Sequence, residues 1–326
     1  MTESPQIEVH LTAGDLAAAL ENDVRAGLGS RPRELPAKWF YDERGCALFD
    51  EITRLPEYYP TRREREILLR EADAIVRAST ADTLVELGSG TSEKTRILLG
   101  AMSGAGLLDR IVLFDVSEPT IRSAAAALSE EYPGVEVSGV VGDFERHLHL
   151  LPSGGRRLIA FLGGTIGNLG PVERKWFLGE LANGMAPGDS LLLGTDLVKD
   201  AARLEAAYDD AAGVTAAFNL NMLVMLNRVL GADFDVAQFA HEARFDREKE
   251  WMDIRLRASS PQSVDIADLG MKLELECGES IRTEISSKFR RSVVEADLAT
   301  AGLDMTRWWT DAAGDYAVSL SVPAAR

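Results

Sequence analysis

Residues 83–102 read TLVELGSGTSEKTRILLGAM: a short apolar run, a glycine-bearing corner, and a segment whose apolar residues recur at helical spacing. A run that stops at Gly88 and hands over to a helix is the first βα unit of a parallel sheet. Glycine at such a corner lets the backbone approach a ligand, and the helix start supplies N–H groups without intrahelical acceptors. Outward from this unit the alternation repeats, with RIVLFD (110–115), VEVSGVVGD (135–143), RLIAFLG (157–163) and SLLLGTD (190–196) separated by helical segments. These five runs predict an α/β fold, a doubly wound sheet with right-handed crossovers.

The flanks read differently. Residues 1–80 predict helices broken by proline-rich corners, RPRELPAKWFYDERG and LPEYYPT, whose aromatics point to a helical N-terminal segment packing on the site. Residues 81–200 form the core, and 201–285 an inserted, smaller α+β substrate-binding cap with strand-like WMDIRLRA, MKLELEC and SIRTEISSKF. Residues 286–326 return to the core sheet as a helix and a last strand, YAVSLSV, completing it with antiparallel edge strands.

A chain of 326 residues that is 46% apolar and 27% charged can bury a large core. No apolar run approaches the roughly 20 residues that cross a bilayer, and the first residues lack a basic-then-apolar leader, so no membrane partner and a cytoplasmic location are expected. A net charge of −17 argues against nucleic acid, which needs clustered Lys and Arg. Cys46 and Cys277 with four scattered histidines make neither a disulfide framework nor a zinc site, and His147 and His149 read as a solvated helix end.

Acidic residues choose the cofactor. A dinucleotide fingerprint would put its third glycine at position 93, where Glu93 would repel a pyrophosphate. S-adenosylmethionine carries no phosphate and a cationic sulfonium, which suits an acidic loop. Asp115, ending the second run, can accept both ribose hydroxyls, and Asp143, ending the third, the adenine amine, with Phe144 beside it to cover the ring. Lys94 can pair with the methionyl carboxylate. One acid on each of two successive strands is more informative than either alone, because ligands of open α/β sheets bind beyond the strand ends.

The segments KWFYDERG, ITRLPEYYPTR, DTLVELGSGTSEKTR, FDVS, GDFE, FLGGTIGNL, LLLGTDLVKD, AYDDAAGVTAAFN, TEISSKF and WWTDAAGDY carry a further signal. Over nearly its whole length the chain resembles the actinobacterial L-histidine Nα-methyltransferases of ergothioneine biosynthesis. The resemblance implies a class I methyltransferase fold and a cofactor site of Tyr41, Gly88, Lys94, Asp115, Asp143 and Phe144. It also implies that Tyr58, Gly163, Asn168 and Tyr208 hold the amino acid backbone while Glu284 and Ser286 hold the imidazole. The implied reaction adds three methyl groups in succession to free L-histidine, through mono- and dimethyl intermediates, to give hercynine, with Tyr41 and Asn168 the catalytic pair and the enzyme a monomer.

Two readings of the residues stand beside the resemblance. By alternation alone Arg282, Glu284, Ser286 and Lys288 form a solvated face, and Tyr58 and Tyr208 are half-buried packing. Ile254 falls where relatives carry methionine against the imidazole, and a stiff β-branched chain there alters the shape offered to the ring. The alternatives are a related methyltransferase for another free aromatic amino acid such as tryptophan, a dinucleotide oxidoreductase, and a non-catalytic member of the fold.

Overall fold

The computed structural model describes residues 5–88, 94–144 and 146–325. Glu93, on which the argument against a dinucleotide turned, lies outside the described residues. The chain divides into two compact units, one of residues 1–12, 62–197 and 289–326, the other of 13–61 and 198–288.

The first unit is built on an eight-stranded sheet in the order Gln6–Val9, Glu136–Val141, Arg110–Asp115, Thr83–Leu87, Arg157–Phe161, Ser190–Asp196, Tyr316–Pro323 and Leu303–Thr310. Thr83–Leu87, Arg157–Phe161 and Ser190–Asp196 are buried at every residue, which is why they read as mostly apolar runs without alternation. Helices Thr95–Gly104, Glu118–Glu131 and Pro171–Gly184 are crossovers between parallel strands. Beneath the sheet Phe114, Phe161 and Phe177 pack into one apolar cluster with the rim residue Phe144 against it.

Two features depart from expectation. Six strands are parallel, because Gln6–Val9 adds to the edge beside Ser138–Val141. At the other edge Tyr316–Pro323 runs antiparallel to Ser190–Asp196, and Leu303–Thr310 antiparallel to Tyr316–Pro323, so that last strand points the same way as the parallel set. The N-terminal strand is mostly exposed, so no apolar alternation marks it.

The second unit corrects the expected segment boundaries. Residues 1–80 do not stay together: 1–12 and 62–80 belong to the sheet unit, and 13–61 fold with 198–288. Here a four-stranded sheet, Arg33–Glu34, Ser280–Ser287, Trp251–Ala258 and Phe239–Asp246, packs with helices Ala13–Gly29, Glu43–Arg54 and Val214–Leu230 around one apolar cluster, and a second cluster gathers Tyr59, Leu204, Tyr208, Met252 and Ile254. Residues 201–230 form two helices, Ala201–Tyr208 and Val214–Leu230. The break is held by Asp210, whose carboxylate accepts from the N–H groups of Val214 and Thr215 at 3.0 and 2.7 Å, capping the second helix. Among the described residues no helix is long and apolar enough to cross a membrane.

Candidate active site

In the sheet unit the parallel register levels the strand ends. Leu87 pairs with Phe114, Asp115 with Val141, and Glu86 with Ala160. Gly88, Asp115, Asp143 and Gly163 therefore lie along one rim, on neighbouring strands about 4.8 Å apart. Gly88 and Gly163 have φ of 73° and 80°, in the left-handed region where any other residue is strained. Gly88 donates its N–H to the Phe114 carbonyl at 2.8 Å, tying the first corner to the second strand.

Each acid is held by its surroundings. Asp115 accepts from the Ser117 N–H at 3.0 Å while Ser117 caps the helix that follows. Asp143 is buried, and its N–H donates to His147 Nδ1 at 3.0 Å. His147 is thus not a solvated helix end: it is half-buried, burial depresses its pKa against the opposing pull of Asp143, and it braces the rim. Phe144 stacks on Phe114 with centroids 5.5 Å apart and meets Phe161 edge-on, which makes it a fixed wall. Asn168 ends the short helix Thr165–Asn168 that follows the Arg157–Phe161 strand.

Sequence reasoning missed Glu64. It is fully buried on helix Pro60–Ser79, with Lys94 bonded to it. Its carboxylate also accepts from the Gly163 N–H at 2.8 and 3.0 Å and from the Tyr316 hydroxyl at 2.9 Å. One carboxylate therefore gathers the first helix start, the loop after the Arg157–Phe161 strand and the Tyr316 strand. The charge of Lys94 is met by this partner, so the lysine offers a ligand its remaining N–H donors and not an unbalanced cation. The signal was present: Glu64 shares the helical stripe of Ile67, Leu68, Ala72 and Ile75, an acid where an apolar residue belongs.

In the second unit Tyr41, Tyr58, Tyr208, Ile254, Glu284 and Ser286 are placed by a chain of aromatic contacts and one ladder. Asp42 caps helix Glu43–Arg54 through the Gly45 N–H at 2.8 Å, and Asn221 also donates to it at 2.8 Å. A side chain at position 45 would strike the Phe40 carbonyl, so the KWFYDERG corner requires its glycine. This corner holds Tyr41 edge-on to Phe49 and Phe218, with Phe49 in turn edge-on to Tyr58. Tyr58 meets Tyr208 edge-on, centroids 6.2 Å apart. Tyr41 is 46% exposed, whereas Tyr58 and Tyr208 are buried.

On the antiparallel ladder Glu284 faces Ile254 and Ser286 faces Met252, so all four project to one side. A bulge between Arg282 and Glu284 breaks the simple alternation, and the solvated-face reading fails with it. Ser286 and Lys288 are buried at 5% and 3% exposure, and Glu284 is half-buried. Tyr208 Oη and Ser286 Oγ are 2.8 Å apart, and Lys288 donates to each at 2.8 Å. Burial pushes the Glu284 carboxyl up to about 7, with the Lys288 charge pulling it back. Behind the cluster Thr283 donates to Asn219, Asn219 to His241 Nδ1, and the His241 ring donates through Nε2 to the Tyr208 carbonyl, which holds Tyr208 in place.

The sheet order, with its glycine corners and two carboxylates on successive strand ends, is that of a class I S-adenosylmethionine-dependent methyltransferase. Residues 20–323 match the sequence model of the family described as histidine-specific methyltransferase, SAM-dependent, and the chain belongs to that family. It is 56% identical over 313 residues to a histidine N-alpha-methyltransferase of Mycolicibacterium smegmatis, covering 96% of this chain and 98% of that one. A histidine N-alpha-methyltransferase of Mycobacterium tuberculosis is 56% identical over 309 residues, with 95% and 96% covered. An L-tryptophan methyltransferase of Psilocybe serbica is 26% identical over 330 residues, covering 92% of this chain and 91% of that one.

Proposed function

We propose that this protein transfers methyl groups from S-adenosylmethionine to the α-amino group of free L-histidine, three in succession, giving hercynine for ergothioneine biosynthesis. It does so in the cytoplasm, as a monomer and without a nucleic-acid partner, a reading to which its net charge of −17 lends support. The observation that carries the substrate is the Glu284, Ser286 and Tyr208 cluster, a hydrogen-bonding face in a family described as histidine-specific. The much lower identity to the tryptophan enzyme supports histidine over that alternative.

The rim of the sheet unit fits the cofactor by its chemistry. Asp115 and Asp143 present acceptors for the ribose hydroxyls and the adenine amine, Phe144 is fixed as a wall for the ring, and the glycine corners admit close approach. Lys94, steadied by Glu64, donates to the methionyl carboxylate. When bound, S-adenosylmethionine supplies a methyl group on a sulfonium whose departure as a neutral thioether needs no acid. What the chain's residues contribute is position: an amine lone pair held about 3–3.5 Å from the methyl carbon gains most of its rate from proximity and alignment. In this reading Asn168 and Gly163, with Tyr58 and Tyr208, hold the amino acid backbone, Tyr41 accepts from the amine and steers it, and Ile254 borders the imidazole. Glu284 accepts from one ring nitrogen and Ser286 donates to the other, which selects a neutral tautomer.

Mass spectrometry of products from a panel of free amino acids with isotopically labelled cofactor tests the reading. Trimethylated histidine as the dominant product is expected. Preferred turnover of tryptophan or another amino acid overturns it.

A further inference from the structure

Lys288, a buried cation of the second unit, lies against the two hydroxyls of this face. Lys288 follows the Ser280–Ser287 strand directly, is 3% exposed, and is the last residue of its unit before the chain returns to the sheet. An ammonium taken out of water costs several kcal/mol unless paired and hydrogen-bonded, so its partners describe why it is kept. Nζ donates to Tyr208 Oη and to Ser286 Oγ, both at 2.8 Å, and lies 4.5 Å from the centroid of the Tyr208 ring. Glu284, four residues back on the same chain, feels the lysine's charge. The Lys288 N–H is anchored to the Glu250 carbonyl at 2.7 Å, which fixes where the side chain starts.

An ammonium only donates. Tyr208 and Ser286 must therefore turn an oxygen lone pair toward Lys288 and keep their hydroxyl hydrogens for each other and for a ligand. The same charge favours the ionised form of Glu284, the form that accepts from an N–H. We propose that Lys288 is a specificity-determining positioning residue, a buried cation that sets the hydrogen-bond polarity of Ser286 and Tyr208 so that this face selects a hydrogen-bonding ring. It need not touch the substrate. The proposal rests on the histidine reading above, which names the ring.

The test is a steady-state comparison of wild type, Lys288→Met and Lys288→Gln on histidine and phenylalanine, with cofactor affinity by calorimetry and folding by thermal melting. The methionine variant keeps the volume and loses donors and charge, whereas the glutamine variant keeps a donor and loses the charge. Expected for Lys288→Met is a fall in histidine kcat/KM of about thirtyfold or more, larger in KM than in kcat, with the histidine-over-phenylalanine ratio reduced at least about tenfold. Cofactor affinity stays within about threefold, since the variant leaves the sheet unit untouched. Lys288→Gln falls between, with the ratio reduced about fivefold, and it carries the test if the methionine variant does not fold. A folded variant of either kind that keeps the wild-type ratio overturns the role of Lys288, as does an equal loss on both amino acids. A wild type that does not prefer histidine overturns the substrate reading itself, and the wild-type arm reports that separately.

Discussion

Glu284 stands directly across the antiparallel ladder from Ile254, an ionisable group and a fully apolar one sharing the same side of the sheet. Their pairing matters because a carboxylate left facing an apolar ligand loses water and gains nothing in return. Glu284→Ala should cut histidine kcat/KM by at least about a hundredfold and lessen the handicap of tryptophan or phenylalanine, since it removes the group those substrates would strand. A substrate panel on the variant checks this; histidine turnover within about twofold of wild type would remove Glu284 from the site.

The raised carboxyl also makes stability depend on pH. From the ordinary value of 4.5 to about 7 the folded protein holds a proton that the unfolded chain has released, so stability falls as pH rises through that window and the full penalty persists above it. Glu284→Gln removes the ionisation. The unliganded variant should be more stable than wild type at pH 8, by about 1–3 kcal/mol, and the difference should vanish near pH 4. Chemical denaturation at both pH values measures it, and an advantage of equal size at each would assign the effect to packing.

Asp115 is expected to hold both ribose hydroxyls by charge-assisted bonds worth roughly 1.5–3 kcal/mol, so Asp115→Ala should weaken S-adenosylmethionine binding about tenfold to a hundredfold. Since Asp115 also accepts from the Ser117 N–H, a melt should accompany the titration. Unchanged affinity in a folded variant removes this residue from the cofactor site.

Asn168 ends its short helix one strand away from Gly88 along the rim. Its proposed partner is the amino acid alone, so Asn168→Ala should depress turnover while cofactor affinity stays within about threefold. Parallel losses in the two measurements would point to support of the cofactor loop.

Glu64 is a stability prediction. Its removal leaves the Gly163 N–H and the Lys94 ammonium without the carboxylate they share. Glu64→Ala should cost about 2–4 kcal/mol in denaturant melts, and Glu64→Gln, which keeps acceptors but loses the charge, a smaller amount. A loss in the alanine variant below about 0.5 kcal/mol would show that this carboxylate is not holding the rim together.

Much of this protein was legible along the chain. The strands 83–87, 110–115 and 190–196 coincide with their apolar runs, and 135–143 and 157–163 overrun Glu136–Val141 and Arg157–Phe161 by two residues or fewer at each end. Asp115 and Asp143 could be placed on the rim because an acid that closes an apolar strand is a local pattern. Short-range chemistry of this kind survives folding: a parallel strand buried on both faces is mostly apolar, and its ligand groups follow its end.

What tertiary structure alone decided is the company each residue keeps. Exposed residues at a sheet edge hid the Gln6–Val9 strand, and a bulge at Arg282 and Glu284 reset an alternation that had placed Ser286 and Lys288 in water. The partnership of Glu64 with Lys94 and Gly163 spans thirty and ninety-nine positions, and that of Lys288 with Tyr208 spans eighty. Periodicity reports which side of an element is buried. It carries no information about which distant charge or hydroxyl lies against that side, because the packing of elements far apart in the chain is settled by burial of the whole core and not by any one segment.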